Sequence, residues 1–533
     1  VQDQWKATPT ITVTGGVRYV YLQVPYETGG QEIAPTISMD TFFQNRVEGA
    51  STGTPYNTLV QYAPAGKANH APDFWTPQTK NFAPRVAVAW APNNKFTVRA
   101  GYGMAYDHFG DAVIDAWDSG GGFKLNSSVL NSYGTINNSP RFTSFTSVPT
   151  TTSTATTLTL PYTPPSNSFN FTSNINSTQK TPYAHTANLT LETDLGHGLV
   201  VSAGYVGRFG RHLLLSWDPS QPNNLYDPGS GMTYFQAIDY IAQLANTSVS
   251  PASVPNMKYW QDIFPNATFA YQGTTYTGTQ AIYAKELSED IGNETDIIYQ
   301  YDVSTPASAS GSTNNFFYPQ YGSMFTESTI GTSNYNGGQL SVHQALRWGI
   351  QYDVNYTYSK SMDLGSSPER SGTSTNRISN SLNPAGNYGP SDFDVRHNVT
   401  GNYVVNTPFG KGGIFFTNPG GVLDRIIGGW QLTGVIHWST GLPFTAGSSV
   451  YGTNFAASSQ LIATQPIPTT GHHRYVPNGT SSYDTAFASD TPTSAANKLR
   501  FVYPGEAGQR NNFRADGYFD LDNGLGKDIR TIE

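Results

Sequence analysis

The sequence contains no cysteine in 533 residues, few charges at 12%, and no run of eighteen or more apolar residues. Without cysteine there is neither a disulfide framework nor a thiolate metal site, which suits export through an oxidising periplasm. Without a long apolar run there is no spanning helix. The formal charge of -8 leaves no basic footprint, so nucleic acid is excluded as a partner. What is abundant is glycine and tyrosine, 53 and 33 residues, at a mean hydropathy of -0.40. Low charge with low hydropathy fits strands wetted on one side only, joined by long loops rich in Asn, Ser, Thr and Gly.

Residues 335–360 show the pattern most plainly. Ile350, Tyr352, Val354, Tyr356 and Tyr358 alternate with Gln351, Asp353, Asn355, Thr357 and Ser359. Before them Leu340, Val342 and Leu346 alternate with Gln339, Ser341, His343 and Ala345, and Arg347, Trp348 and Gly349 turn the chain. A period of two is a strand with one apolar face. A soluble sandwich alternates in the same way, so this hairpin alone leaves the solvent on the apolar face open. Aromatic rings near both strand ends match the two interfaces of a membrane-spanning strand.

The rest of the chain repeats this unit. Strands are expected around Gln2–Trp5, Ile11–Tyr21, Val86–Trp90, Phe96–Tyr106, Asn188–Glu192, Leu199–Arg208, Val395–Val405, Trp430–Trp438 and Phe519–Leu525. With the central hairpin, that makes about eleven. Short turns such as 92–94 and 195–198 alternate with long irregular segments at 25–81, 109–182, 216–333 and 441–515. A Gly-rich connection covers 409–421, and a Thr-rich run 150–159. Within 216–333, residues 235–244 and 280–291 have helical spacing. Strict alternation of short and long connections is the habit of an outer-membrane barrel, with short turns in the periplasm and long loops outside.

Charges respect the same division. Arg18, Arg85, Arg99, Asp107, Glu192, Arg208, Asp353, Arg396, Asp520 and Asp522 all fall on the polar side of their strands, whereas His397 falls on the apolar side near an outer end. A lipid-facing Arg or Lys near the midplane costs about 2–4 kcal/mol, so a membrane face excludes them. The fold class expected is all-β, a transmembrane antiparallel β-barrel.

With the strands placed, the chain resembles the TonB-dependent transporters, in particular their Oar-like group. The matching stretches are Gln2-Asp3-Gln4-Trp5-Lys6 with Thr8-Pro9 and Gly16-Val17-Arg18-Tyr19, then Asn81-Phe82-Ala83-Pro84-Arg85 with Arg99-Ala100-Gly101-Tyr102-Gly103, and Gly204-Tyr205-Val206-Gly207 with Gly210-Arg211-His212. Further on come Ser333-Asn334-Tyr335-Asn336, Tyr356-Thr357-Tyr358-Ser359-Lys360-Ser361, Ser391-Asp392-Phe393-Asp394-Val395-Arg396-His397 and Gly428-Gly429-Trp430-Gln431-Leu432. Each is weak alone, and their shared order is what makes the set specific.

The resemblance implies a plug, a periplasmic energy-coupling partner of the TonB type that acts on it, an extracellular ligand, and a barrel of about 22 strands. Eleven strands are half of that, and an odd open set is not tolerated in lipid. The chain, which opens on Val1-Gln2-Asp3 without a signal peptide, is therefore expected to be part of a longer one, with plug and N-terminal domain supplied by missing sequence. Residues 1–533 form the partial barrel domain, with 216–333 a long extracellular insertion. A passive porin and a structural or adhesive surface protein are the rival functions.

No metalloprotease, phosphate-loop or nucleophile-elbow motif occurs, so no catalytic residue, cofactor or metal is assigned. Asp520-Leu521-Asp522-Asn523-Gly524 is a poor calcium loop, its ligand positions displaced. His472-His473 in a loop reads as two solvated side chains rather than a metal pair, because adjacent histidines point apart unless the loop folds back. The sequons at Asn126 and Asn170 follow from composition. Asp392, Asp394, Arg396 and His397 are a compact charged group entering a strand, either gripping a plug, loop or substrate or forming an ion-pair network within the barrel; the latter is the expectation. Lumen-facing candidates are Arg18, Arg99, Arg208, Asp353, Asp394 and Arg396.

Overall fold

In the computed structural model the described residues are 1–107, 113–114, 159–166, 170–289, 291–305, 314–366, 377–410, 413–417, 419–467 and 498–528, with the backbone alone of 469–478 and 481–487. The Asn126 sequon and the Thr-rich run up to 158 lie outside them, as do the side chains of His472 and His473.

Eleven long strands follow one another in a single antiparallel meander. They are β1 (Gln2–Thr8), β2 (Ile11–Tyr19), β3 (Phe82–Trp90), β4 (Phe96–Tyr106), β5 (Tyr183–Gly196), β6 (Leu199–Trp217), β7 (Ser323–Arg347), β8 (Ile350–Asp363), β9 (His397–Asn406), β10 (Trp430–Ser439) and β11 (Tyr518–Lys527). Each pairs with its sequence neighbour, and β1 and β11 are the edges of the sheet. The turn between β7 and β8 holds Trp348 at φ 51° and Gly349 at φ 82°. Two left-handed residues in succession match the right-handed twist of a hairpin, and a Cβ at residue 349 would lie 2.8 Å from the Asn406 carbonyl oxygen.

The register sorts side chains into rows. Ile11, Trp90, Val98, Leu191, Ala203, Leu340, Tyr356, Val399, Trp438 and Phe519 are successive cross-strand partners, one apolar row across ten strands. Trp90 stands at the short-turn end of β3, while Trp438 and Phe519 stand at the long-loop end of β10 and β11. That climb is the stagger of strands tilted to a barrel axis. His397 lies on the apolar face as expected, its ring 5.1 Å from Tyr358 and its Nδ1 2.8 Å from the Tyr356 hydroxyl.

The apolar face is largely uncovered: Val86, Val354, Leu432 and Leu525 are exposed, and the buried clusters lie elsewhere. One cluster packs α2 (Tyr234–Asn246), α3 (Lys258–Ile263), α4 (Gly278–Ser288) and α5 (Glu294–Tyr299) around Trp260, Phe264 and Phe316. A second sets α1 (Met39–Ser51) through Met39 and Phe42 against Leu215, Trp217 and Met324 at the upper ends of β6 and β7. A third joins Val24, Phe74 and Trp75 to Leu214. A water-exposed protein hides its apolar side chains in one interior; this one keeps its cores in the loop layer and leaves the strand band bare.

Several boundaries differ from the sequence reading. The helices expected at 235–244 and 280–291 are present as α2 and α4. The long segment is bounded by Trp217 and Ser323 rather than 216 and 333, because β7 is 25 residues long where about 9–11 cross a bilayer. Its outer part is covered on both faces and pairs in parallel with Phe171–Ile175, so it carries no alternation to read. Segment 25–81 contains the helix α1, and the Gly-rich connection runs on into α6 (Gly421–Ile427). Asp520–Gly524, by contrast, is extended strand within β11, as the expected strand at Phe519–Leu525 requires.

Candidate transit face and outer ion-pair network

The face opposite the apolar rows carries most of the polar and charged side chains of the strands, with a few small or branched residues such as Ala89, Val206 and Val435 among them. Thr12, Ala89, Arg99, Thr190, Gly204, Gln339, Thr357, Asn398, Ser439 and Tyr518 form one such row. Gly16, Arg85, Gly103, Thr186, Arg208, Tyr335 and Ser361 form another. Arg18, Arg99, Arg208 and Asp353 therefore share this face. The Arg99 guanidinium reaches Glu192 at 3.3 Å across β4 and β5, both side chains well exposed. Asp353 accepts from Nδ1 of His343, its direct partner on β7.

Asp394 and Arg396 sit differently. β9 begins at His397, so Asp394 lies in the bend before the strand rather than on it, and its side chain is fully buried. It binds Nε of Arg396 at 2.9 Å, pairs with Arg514, and accepts from the Ser361 amide at 2.6 Å. Arg514 also donates to the carbonyls of Asp394 and Gly441, at 2.8 and 3.1 Å. Beside it, Arg510 binds Asp363 at 2.6 Å and Asp392 at 3.1 Å, with the Arg510 and Asp363 side chains each only 4% exposed. Asn511 donates to Asp392 and to the Pro390 carbonyl, both at 2.7 Å. This network fastens segment 364–396 to segment 440–517 at the outer end of β8 and β9.

Arg510 and Arg514 escaped the sequence reading. A signal exists: two arginines four apart shortly before β11 mirror Asp392 and Asp394, two apart shortly before β9. Arg46 escaped too. Completely buried on α1, it donates to the carbonyls of Ser220, Gln221 and Phe316 at 2.8 to 3.3 Å and lies over the Phe42 and Tyr318 rings. Burial pulls its guanidinium down to about 10, and the nearby Asp218, Tyr318 and Asp302 partly restore it.

Above the strands a cavity of about 470 Å3 opens among α1, segment 221–235 and segment 380–383. Phe43, Tyr226 and Phe235 supply aromatic walls, and Gln221, Asn224 and Asn380 amides. Its frame is fixed: Gln221 donates to Asn380 at 3.0 Å and accepts from the Ser381 amide at 2.7 Å, and Asn380 donates to the Gly505 carbonyl at 2.9 Å. Among the described residues, no group of three or more acidic or histidine side chains is placed to hold a metal, and no helix is long and apolar enough to cross a membrane.

Comparison with known proteins places these features in context. The family model described as outer membrane beta barrel domain matches residues 1–533. No curated protein matches the chain. Among solved structures, the outer membrane transporter YddB from Escherichia coli is similar at 10% identity and a TM-score of 0.34, over 98% of this chain and 46% of its own. The siderophore receptor PirA from Acinetobacter baumannii is similar at 8% identity and 0.32, over 99% and 38%. The ferripyoverdine receptor of Pseudomonas aeruginosa, bound to ferripyoverdine, is similar at 9% identity and 0.32, over 99% and 32%. The chain thus spans less than half the length of each of these three.

Proposed function

The chain belongs to the outer membrane beta barrel domain family and resides in the outer membrane, and from that premise we propose that it is the barrel part of a TonB-dependent receptor, taking up a ligand from outside. The observation that carries this reading is the pairing of a polar strand face with a deep, self-cored loop layer above it. A bare pore needs the polar face alone. A receptor needs, in addition, a structured surface that captures ligand before passage, and the aromatic and amide cavity among the loops is such a surface. In this reading residues 1–533 are a partial barrel domain, 218–322 is an extracellular insertion, and Arg18, Arg99, Arg208 and Asp353 face a plug or the transit path, while Arg396 pairs with Asp394 in the loop network. Asp394 serves instead as the buried counter-ion that holds the loops. This reading further requires a plug and a periplasmic protein that pulls on it.

Planar-bilayer recording of the whole protein tests the proposal. A plugged receptor shows negligible steady conductance until urea unseats the plug; steady ionic current from the first insertion, without denaturant, sinks the receptor reading in favour of a porin. The assignment of faces has its own check. Val354→Arg, in the middle of β8 on the apolar face, is expected to cost about 2–4 kcal/mol in lipid, whereas Asn355→Arg next to it is tolerated. Urea titration in vesicles, followed by heat-modifiable gel migration, measures both.

A further inference from the structure

Four of the connections at the short-turn end are tight and mostly polar: Pro9-Thr10, 91–95, His197-Gly198 and Trp348-Gly349. The fifth, 407–429, is much longer and carries α6. It presents Phe409, Phe415, Phe416, Val422, Leu423 and Ile426 to the outside, each between 42% and 76% exposed. These side chains are held there. The amides of Ile414 and Phe415 both donate to the Pro408 carbonyl at 2.8 Å, and Phe409 contacts the rings of Phe415 and Phe416 at 6.1 and 6.2 Å. An apolar cluster fixed outward at a chain turn marks a contact with something apolar.

Its position says what that contact is. Trp430 begins the apolar row of β10, and its Nε1 donates to the Ile426 carbonyl at 2.8 Å. Lys527, on the same face of β11, stands 4.2 Å over the Trp430 ring and donates to the carbonyls of Ile426 and Gly428 at 3.1 Å. Thus α6 is tied to the foot of the face that meets lipid, by a tryptophan and a lysine. These residue types favour the boundary between acyl chains and headgroups, the one for its amphipathic ring and the other for its long apolar stem. Asp424 and Arg425 give the short helix the charges that a headgroup layer solvates.

We infer that Phe409, Phe415, Phe416 and α6 form an interfacial anchor that inserts the three phenylalanines and the apolar side of α6 into the phospholipid leaflet at the short-turn end of the barrel. The ligand is phospholipid, and the contact continues the lipid belt downward beyond the last strand residues. It requires neither a plug nor an energy-coupling partner.

Residues 1–533 offer no cysteine of their own to compete for label, and any outside them is first replaced by serine. Val422→Cys and Leu423→Cys, made singly in the whole protein, are nitroxide-labelled and reconstituted in phosphatidylethanolamine and phosphatidylglycerol vesicles. Power-saturation spectra then compare collision with oxygen and with a water-soluble nickel chelate. Val354→Cys on the lipid face and Asn94→Cys in a polar turn calibrate the scale, and heat-modifiable migration confirms folding. The expected result is an oxygen-to-nickel ratio several-fold above that at Asn94 and approaching that at Val354. A ratio equal to that at Asn94 places the segment in water and overturns the inference. Low collision with both reagents means that protein covers it, and overturns it equally. Should Val354 itself fail to favour oxygen, the face assignment falls and the anchor with it, an outcome distinct from any result for the plug.

Discussion

Arg510→Ala is expected to loosen the outer layer by about 3–5 kcal/mol, the usual cost of removing one partner from a buried ion pair. Arg510 holds Asp363 where both side chains are only 4% exposed, and it also binds Ser366 and Asp392. Alanine leaves the Asp363 carboxylate out of water with no cation. Asp392, 43% exposed, is rehydrated at little cost and retains the Asn511 amide. Proteinase K digestion of intact cells reads the effect: segments 364–396 and 440–517 should be cut far faster in the variant, while the strand band survives. Joint replacement of Arg510 by Met and Asp363 by Leu should recover much of the loss, since the penalty lies in the orphaned charge rather than in the missing attraction. Unchanged cleavage in Arg510→Ala, or a double variant worse than the single, would show that the network does not hold the layer together.

The helical insertion is expected to be firmer in acid than in base. Glu286 on α4 is buried, with one oxygen accepting from the Gly292 amide at 3.0 Å and the other without a hydrogen-bond partner among the described residues. Burial pushes its carboxyl up to about 7, with the Glu289 charge adding to the rise. Glu294 is raised as well, by burial first and then by Glu286 and Asp239. A carboxyl raised in the folded state holds its proton where the unfolded chain has lost it. Stability from Glu286 is therefore intact below about pH 4.5 and is lost as pH rises to about 7. The loss amounts to something on the order of 3 kcal/mol. Glu286→Gln, which stays neutral, should abolish most of this slope and protect the insertion at pH 8. Protease half-lives of segment 218–322 across pH 5 to 8 check it; a wild-type profile as flat as that of Glu286→Gln would count against the buried acid.

These two sites show where sequence and structure part. In the strand band a period of two follows directly from lipid on one side and water on the other, and the rows through Leu340, Tyr356 and Trp438 are readable from alternation alone. Helix α1 is not, because Arg46 occupies its inward stripe between Phe42 and Ala50, where the pattern calls for an apolar residue. The upper part of β7 is covered on both faces, so alternation ends there before the strand does. The Arg510–Asp363 pair joins residues 147 apart in sequence, and no local pattern encodes such a meeting. Arg18, Arg99, Arg208 and Asp353 fall on one face because each lies within the periodic part of a strand. Asp394 lies just outside it, and its surroundings follow from loop packing.

The separation of the cores from the strand band divides the protein into two regimes of mutational coupling. Within the band the wall is one residue thick. A side chain on the apolar row meets lipid and its row neighbours, one on the polar row meets water, and the two rows share no packed interior. Substitutions there should combine additively unless they are cross-strand partners. In the loop layer, Trp260, Phe264, Tyr234 and Phe316 pack ring against ring, and a change at one alters the cavity seen by the others. The band is thus free to drift one position at a time, whereas the surface that meets the outside world changes by concerted sets of residues.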